Sequence, residues 1–130
     1  MDVTKTHGAF SWNELMTTDA KAAASFYGQL FGWKTAEMDM GPSGIYHVQN
    51  VGEKSVAGIM NMPAEAKGMP PMWGGYVTVD DVDATLERVT QLGGKVCVPP
   101  MDIPGVGRMG GFLDPQGAML SVIKYSGNAG

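Results

Sequence analysis

The sequence predicts an α+β fold. Two paired strand-helix-strand-strand-strand modules form a curved, mainly antiparallel sheet with the helices outside. Three observations lead there. A capped helix signal occurs twice, each time after a strand-like run and each time ended by glycine. Each helix signal is followed by three short strand-like runs. Landmarks also recur at an offset of 61 residues, since Trp12, Asp19 and Gly32 are followed by Trp73, Asp80 and Gly93, although Leu30 meets Gln91. With 130 residues the chain is sized for one domain, spanning 1–130. Half of it cannot close a core alone, so the two modules should pair through their sheets.

In order, "FSWNELMTT" alternates as a half-buried strand does, Asp19 is a helix N-cap, and Ala23, Phe26, Tyr27 and Leu30 form an apolar stripe that stops at Gly32. The runs "WKTAEMDM", "GIYHVQNV" and "SVAGIMNM" follow as strands, divided by Gly-Pro-Ser-Gly and Gly-Glu-Lys turns. They complete a first module over about residues 8–63. "PAEAKGMPP" reads as a linker over about 63–71. The second module, about 72–125, repeats the plan. It has the strand "WGGYVTV", a cap at Asp80 or Asp81, a stripe at Val82, Leu86, Val89 and Leu92, a stop at Gly93, then "KVCVPP", "GRMGGFL" and "GAMLSVIKY". "FLDPQGAMLSVI" should be a hairpin, with Pro115 second in its turn and Gly117 in the left-handed conformation. Met119, Ser121 and Ile123 then share one face.

Nine Lys and Arg against thirteen Asp and Glu give a net charge of -4, and no basic run is present to collect phosphates, so nucleic acid is not expected as a partner. The N-terminal residues show neither a signal-peptide pattern nor an apolar stretch of membrane-spanning length. One cysteine, Cys97, cannot pair internally, and its run suggests a buried strand and an inert thiol. A cytoplasmic protein with no membrane partner is therefore expected. Eleven methionines suit an adaptable apolar pocket or a readily filled core.

The stretches "TTDAKAAASFYGQLFGW", "VTVDDVDATLERVTQLGGKV" and "GRMGGFLDPQGAMLSV" resemble the vicinal oxygen chelate superfamily, which includes glyoxalase I, extradiol dioxygenases and the fosfomycin and bleomycin resistance proteins. "WNELMTTD", "DIPGVGR" and "DPQGA" look most like its small glyoxalase-like members of unassigned reaction. The resemblance implies the glyoxalase/bleomycin resistance/dioxygenase fold, a ligand in the concave face of the sheet, and a homodimer. It also implies metal ligands at positions that here fall on Trp12, Gly74 and Ser121, with a fourth near Gly58 or Met60. None of these is a credible ligand, because a divalent ion needs three or four imidazole or carboxylate donors. His7 and His47 lie elsewhere in the pattern.

The expected function is that of a glyoxalase-like protein of unassigned reaction. It would work without a metal or other cofactor and bind a small apolar or aromatic molecule. Trp12, Glu14, Met60, Tyr76, Met119 and Ser121 are the expected ligand-binding residues. Glu14 is the candidate catalytic group, a general base or polar anchor in Met- and Trp-rich surroundings. Glyoxalase I-type lyase or dioxygenase chemistry on a divalent metal ion is one alternative, and an antibiotic-sequestering resistance protein another. Arg108 could meet an anionic ligand, but pairing with an acidic neighbour is favoured. The paired glycines 74–75 and 110–111 signal close backbone approach. No nucleophile set can be assembled around either histidine.

Overall fold

The computed structural model describes residues 1–64 and 68–126. The chain forms two compact units, Trp12–Trp73 and Met1–Ser11 together with the chain from Gly74 onward. Each carries one strand-helix-strand-strand-strand module. Residues 65–67 of the expected linker lie outside the described residues.

In the first module, β1 (Phe10–Thr17, of which Trp12 onward belongs here) leads into α1 (Ala20–Phe31), then β2 (Lys34–Asp39), β3 (Ile45–Val51) and β4 (Lys54–Asn61). Its strands lie in the order β2-β3-β4-β1. β1 and β4 are parallel with Leu15 beside Ile59, and the other pairings are antiparallel. Asp19 caps α1, its carboxylate accepting from the Ala22 amide at 3.0 Å, and the Asn61 side chain at the end of β4 accepts from the Ala20 amide at 2.8 Å. Two of the helix's orphan N–H groups are thus satisfied, one of them by the sheet. Gly32, left-handed at φ 80°, ends the helix as its position predicts. Ala20 and Ala24 are buried on Leu15 and Ile59, with Ala23 and Tyr27 partly packed on the same cluster. The alanines let the helix lie close. Of the predicted stripe, Phe26 and Leu30 instead point outward, 59% and 58% exposed.

The second module runs β5 (Met72–Thr78), α2 (Val82–Gln91), β6 (Lys95–Ile103), β7 (Gly107–Leu113) and β8 (Met119–Tyr125), with strand order β5-β8-β7-β6. β5 and β8 are parallel, the others antiparallel. The cap of α2 is Asp81, whose carboxylate accepts from the Ala84 amide at 3.0 Å, while the amide of Asp80 donates to His7 Nδ1 at 2.9 Å. Capping residues are therefore 62 positions apart, Asp19 to Asp81, and Gly74 rather than Trp73 is the counterpart of Trp12. Val79, Val82, Leu86 and Val122 form the core, with Val77, Val89, Val96 and Phe112 against it. Gly110 is required there, because a Cβ would stand 2.5 Å from Leu86 Cδ1 and 3.1 Å from the Val98 carbonyl oxygen.

The β7–β8 connection is the predicted hairpin. Asp114 donates its amide to the Ala118 carbonyl at 2.8 Å, its carboxylate accepts from the Gln116 and Ala118 amides, and Gly117 has φ 95°. Cys97 departs from expectation. It is exposed on β6, the strand at the end of the order, where the pairing with β7 shifts register between Val96 and Val98. Residues of the N-terminal segment add to β5, Gly8 donating to the Thr78 carbonyl and Thr78 to that of Ala9, both at 2.8 Å.

Candidate functional site

Leu15 and Ile59 face α1, so strand alternation puts Trp12, Glu14, Met16, Gly58 and Met60 on the helix-free face of the first module. Register brings Glu14 beside Gly58 and Met16 beside Met60. From β3, Tyr46 reaches over this face. Its hydroxyl accepts from Trp12 Nε1 at 2.7 Å and donates to Glu14 Oε1 at 2.9 Å. Indole, phenol and carboxylate form one directed chain of donors and acceptors, in which each bond polarises the next. Only 9% of Glu14 is exposed, so this is a buried carboxylate held in place by a neutral donor.

A glycine makes the arrangement possible. Any Cβ at position 58 would collide with the Tyr46 ring and hydroxyl, so Gly58 is the space the phenol lies in. Sequence reasoning placed Trp12, Glu14 and Met60 on this face but missed Tyr46. The signal was present in part, since an aromatic residue diagonally across from an in-strand glycine can fold over it. It could be used only once the β3–β4 register, Val48 beside Gly58, was known.

The second module holds the other expected residues. Val77 and Val122 face α2, which places Tyr76 and Ser121, paired across β5 and β8, on the opposite face with Met109 and Ile123. Tyr76, Met109 and Ile123 are buried, Ser121 is half-buried and Met119 is exposed. The Met119 methyl lies over Gly111, where a Cβ would stand 2.8 Å from it. Beside them, Thr78 Oγ1 lies 2.7 Å from the Val3 carbonyl and 2.8 Å from Ser11 Oγ, which is in turn 2.8 Å from the Tyr125 hydroxyl. Burial pushes the Tyr125 phenol above its ordinary value, and the hydrogen bond with Ser11 opposes part of that rise.

The positions at which a metal would be held carry chemistry that does not fit one. The Trp12 indole is a donor already given to Tyr46, Gly58 and Gly74 have no side chain, and Ser121 offers a neutral hydroxyl. Among the described residues no group of three or more His, Cys, Asp or Glu is gathered. His47 is buried on the α1 side of β3, beside Ile59, and His7 is exposed near Asp80. Arg108 takes the favoured role, pairing with Asp83 at 2.7 Å and Asp102 at 2.9 Å. Hydrogen bonds to those two carboxylates raise its pKa, and the same contact holds the Asp83 carboxyl below the usual range. Sequence reasoning gave no sign of a cavity of about 670 Å³ on the helix side of the second module, floored by Val77, Phe112, Leu120 and Val122.

Comparison with known proteins agrees with this architecture. The chain is 40% identical over 125 residues to CFP32 of Mycobacterium tuberculosis, which carries the name of a glyoxylase, covering 95% of this chain and 48% of the relative. It is 35% identical over 127 residues to the anthracycline biosynthesis protein DnrV of Streptomyces peucetius, covering 88% and 46%. The chain thus spans about half the length of these curated relatives. Among solved structures, methylmalonyl-CoA epimerase from Mycobacterium tuberculosis superposes with a TM-score of 0.67 at 14% identity, covering 93% of this chain and 89% of that one, a likeness of fold. Residues 9–122 match the family model of the glyoxalase/bleomycin resistance protein/dioxygenase superfamily, and the chain belongs to that family as a glyoxalase-like member.

Proposed function

We propose that this domain binds a small apolar or aromatic molecule on the face carrying Trp12, Tyr46 and Glu14, and does so without a metal ion. The observation that carries the reading is the Trp12–Tyr46–Glu14 chain, in which a buried carboxylate is oriented by a phenol that is itself oriented by an indole. Such a group can accept a hydrogen bond or a proton from a ligand hydroxyl or acidic C–H, while the indole and phenol faces take up a flat apolar body. Met60 is proposed as further lining of this face, and Tyr76, Met119 and Ser121 as ligand-facing residues on the helix-free face of the second module taken by itself. The name of the Streptomyces relative points to flat polycyclic aromatics, a ligand class that suits this combination.

Titration with doxorubicin, a commercially available anthracycline, followed by tryptophan fluorescence, tests the reading. Saturable quenching that Trp12→Phe weakens at least fivefold is the expected result. Quenching that is linear in ligand, or unchanged in the variant, rejects the aromatic-ligand assignment. Metal independence is checked by elemental analysis of protein purified without added metal. Stoichiometric Ni, Zn, Fe or Mn would overturn it in favour of the metal-dependent enzymes of the superfamily.

A further inference from the structure

The cavity on the helix side of the second module owes its existence to how α2 is seated. The helix lies chiefly over β6 and β7, where it buries Val82 and Leu86, one turn apart, at 2% and 3% exposed. Toward β5 it leaves the sheet uncovered. There two cross-strand pairs, Val77 beside Val122 and Leu120 beside Phe112, make an apolar floor. Val77, Leu120 and Phe112 are only half-buried, although they lie on the face that carries the core. Ala84, Arg88 and Leu92, spaced by four, make the helix wall, and the short Ala84 side chain leaves the floor open. The resulting groove of about 670 Å³ falls within the ~300–1,000 Å³ of small-molecule sites. Running beside a ten-residue helix, it is roughly 15 Å long at 1.5 Å per residue.

The charged groups stand at the rim and lean to one sign. Asp80 and Asp81 mark the end where α2 begins, and Asp114 the end where it stops, beside Gly94. Asp81 and Asp114 accept from backbone amides, which fixes them at the rim, and the Asp80 side chain is 84% exposed beside His7. Against these three carboxylates the described lining has one guanidinium, Arg88, which donates to Gln91 at 3.0 Å. We propose that the groove is a second binding site, for an elongated apolar molecule that carries one positive charge. The floor draws the apolar body in by removing half-exposed Val, Leu and Phe surface from water. The negative rim raises the local concentration of a cation and disfavours a carboxylate of the same shape. All of the lining belongs to the second module and the N-terminal segment, so the site takes nothing from the Trp12–Tyr46–Glu14 face.

Amide-resolved NMR titration of the full chain with decylammonium and with decanoate tests the proposal. Decylammonium should shift the amides of Val77, Ala84, Val89 and Leu120 saturably, with a Kd below about 1 mM. Decanoate, the same chain with the opposite charge, should bind at least fivefold more weakly. Ala84→Trp, at an exposed helix position, fills the groove and should weaken decylammonium at least tenfold. Asp80→Asn combined with Asp114→Asn, which keeps an oxygen acceptor for the turn, should bring the two ligands within about twofold of each other. The spread of amide signals shows whether each variant is folded. Trp12→Phe should leave the decylammonium titration unchanged, which keeps this outcome apart from that of the doxorubicin titration. Absence of saturable shifts, binding that folded Ala84→Trp retains, decanoate binding as tightly as decylammonium, or a charge preference that survives the double Asn variant overturns the proposal.

Discussion

The Tyr46 hydroxyl bonds both Trp12 and Glu14, and the consequences of removing it differ on its two sides. Tyr46→Phe keeps the ring over Gly58 but removes the phenol's hydrogen bonds with Glu14 and Trp12, and each such bond contributes about 0.5–1.5 kcal/mol. Urea unfolding should register a loss of that order, and Glu14→Gln should couple to it in a double-mutant cycle. Gly58→Ala should destabilise through a different route, overpacking, by about 1–3 kcal/mol, because its methyl occupies the phenol's place. If Gly58→Ala unfolds no earlier in urea than wild type, Tyr46 is not seated where the structure puts it. At Asp83 the folded pKa lies below the ordinary 3.8 owing to its hydrogen bond with Arg108. Its stabilising contribution is therefore fully present above that ordinary value and is lost as the pH falls through the folded pKa. Arg108→Gln should flatten the acid limb of the stability profile and leave the neutral region nearly unchanged, since the pair is exposed.

Among elements, the helix starts offer the sharpest test of placement. Asp80 and Asp81 are adjacent carboxylates, and local sequence cannot say which one meets the N–H of the first turn. In the structure the Asp81 carboxylate binds the Ala84 amide, whereas the Asp80 backbone is engaged with His7. Asp81→Ala should cost ~1 kcal/mol by thermal unfolding and Asp80→Ala much less, and the reverse ranking would refute the cap. The same reasoning gives Asp19→Ala a loss like that of Asp81→Ala. Helix and strand positions were legible because they depend on neighbours in sequence. Asp19, Gly32, Gly117 and the alternating strand residues act within a few positions of themselves. The outward turn of Phe26 and Leu30 was not legible. Alanine and phenylalanine both read as apolar, and only the close approach of α1 to Leu15 and Ile59 selects the alanines for burial.

At the scale of the molecule, repetition of one supersecondary plan governs what is seen. Each module places a helix on one face of its strands and frees the other, and candidate ligand residues collect on the freed faces. In the second module the N-terminal segment packs there, with Thr78 buried at 4% against the Val3 carbonyl and Ser11, and Tyr125 joined through Ser11. The raised Tyr125 pKa means that the fold prefers the neutral phenol. Stability should hold up to the ordinary value of 10.0 and decline above it, where the unfolded chain ionises first. Absorbance at 295 nm should find one tyrosine titrating later than the rest, and Tyr125→Phe should abolish that late step. No helix among the described residues is long and apolar enough to cross a membrane.

The order of elements, the doubled module, the hairpin at Asp114–Gly117 and the superfamily were all settled by the amino-acid sequence itself. Capping, turn chemistry and alternation are local rules, and the repeat shows them twice. The poverty of donors at Trp12, Gly58, Gly74 and Ser121 could likewise be read from residue identity. What only the tertiary structure decided was which groups touch: Tyr46 lying in the space of Gly58 between Trp12 and Glu14, Arg108 held by two aspartates, Cys97 turned outward, and α1 presenting its aromatic side. These contacts join residues up to 46 positions apart, as in Tyr27 and Trp73. They depend on strand register and helix rotation, which are fixed by packing the whole module at once and leave no local trace in the chain.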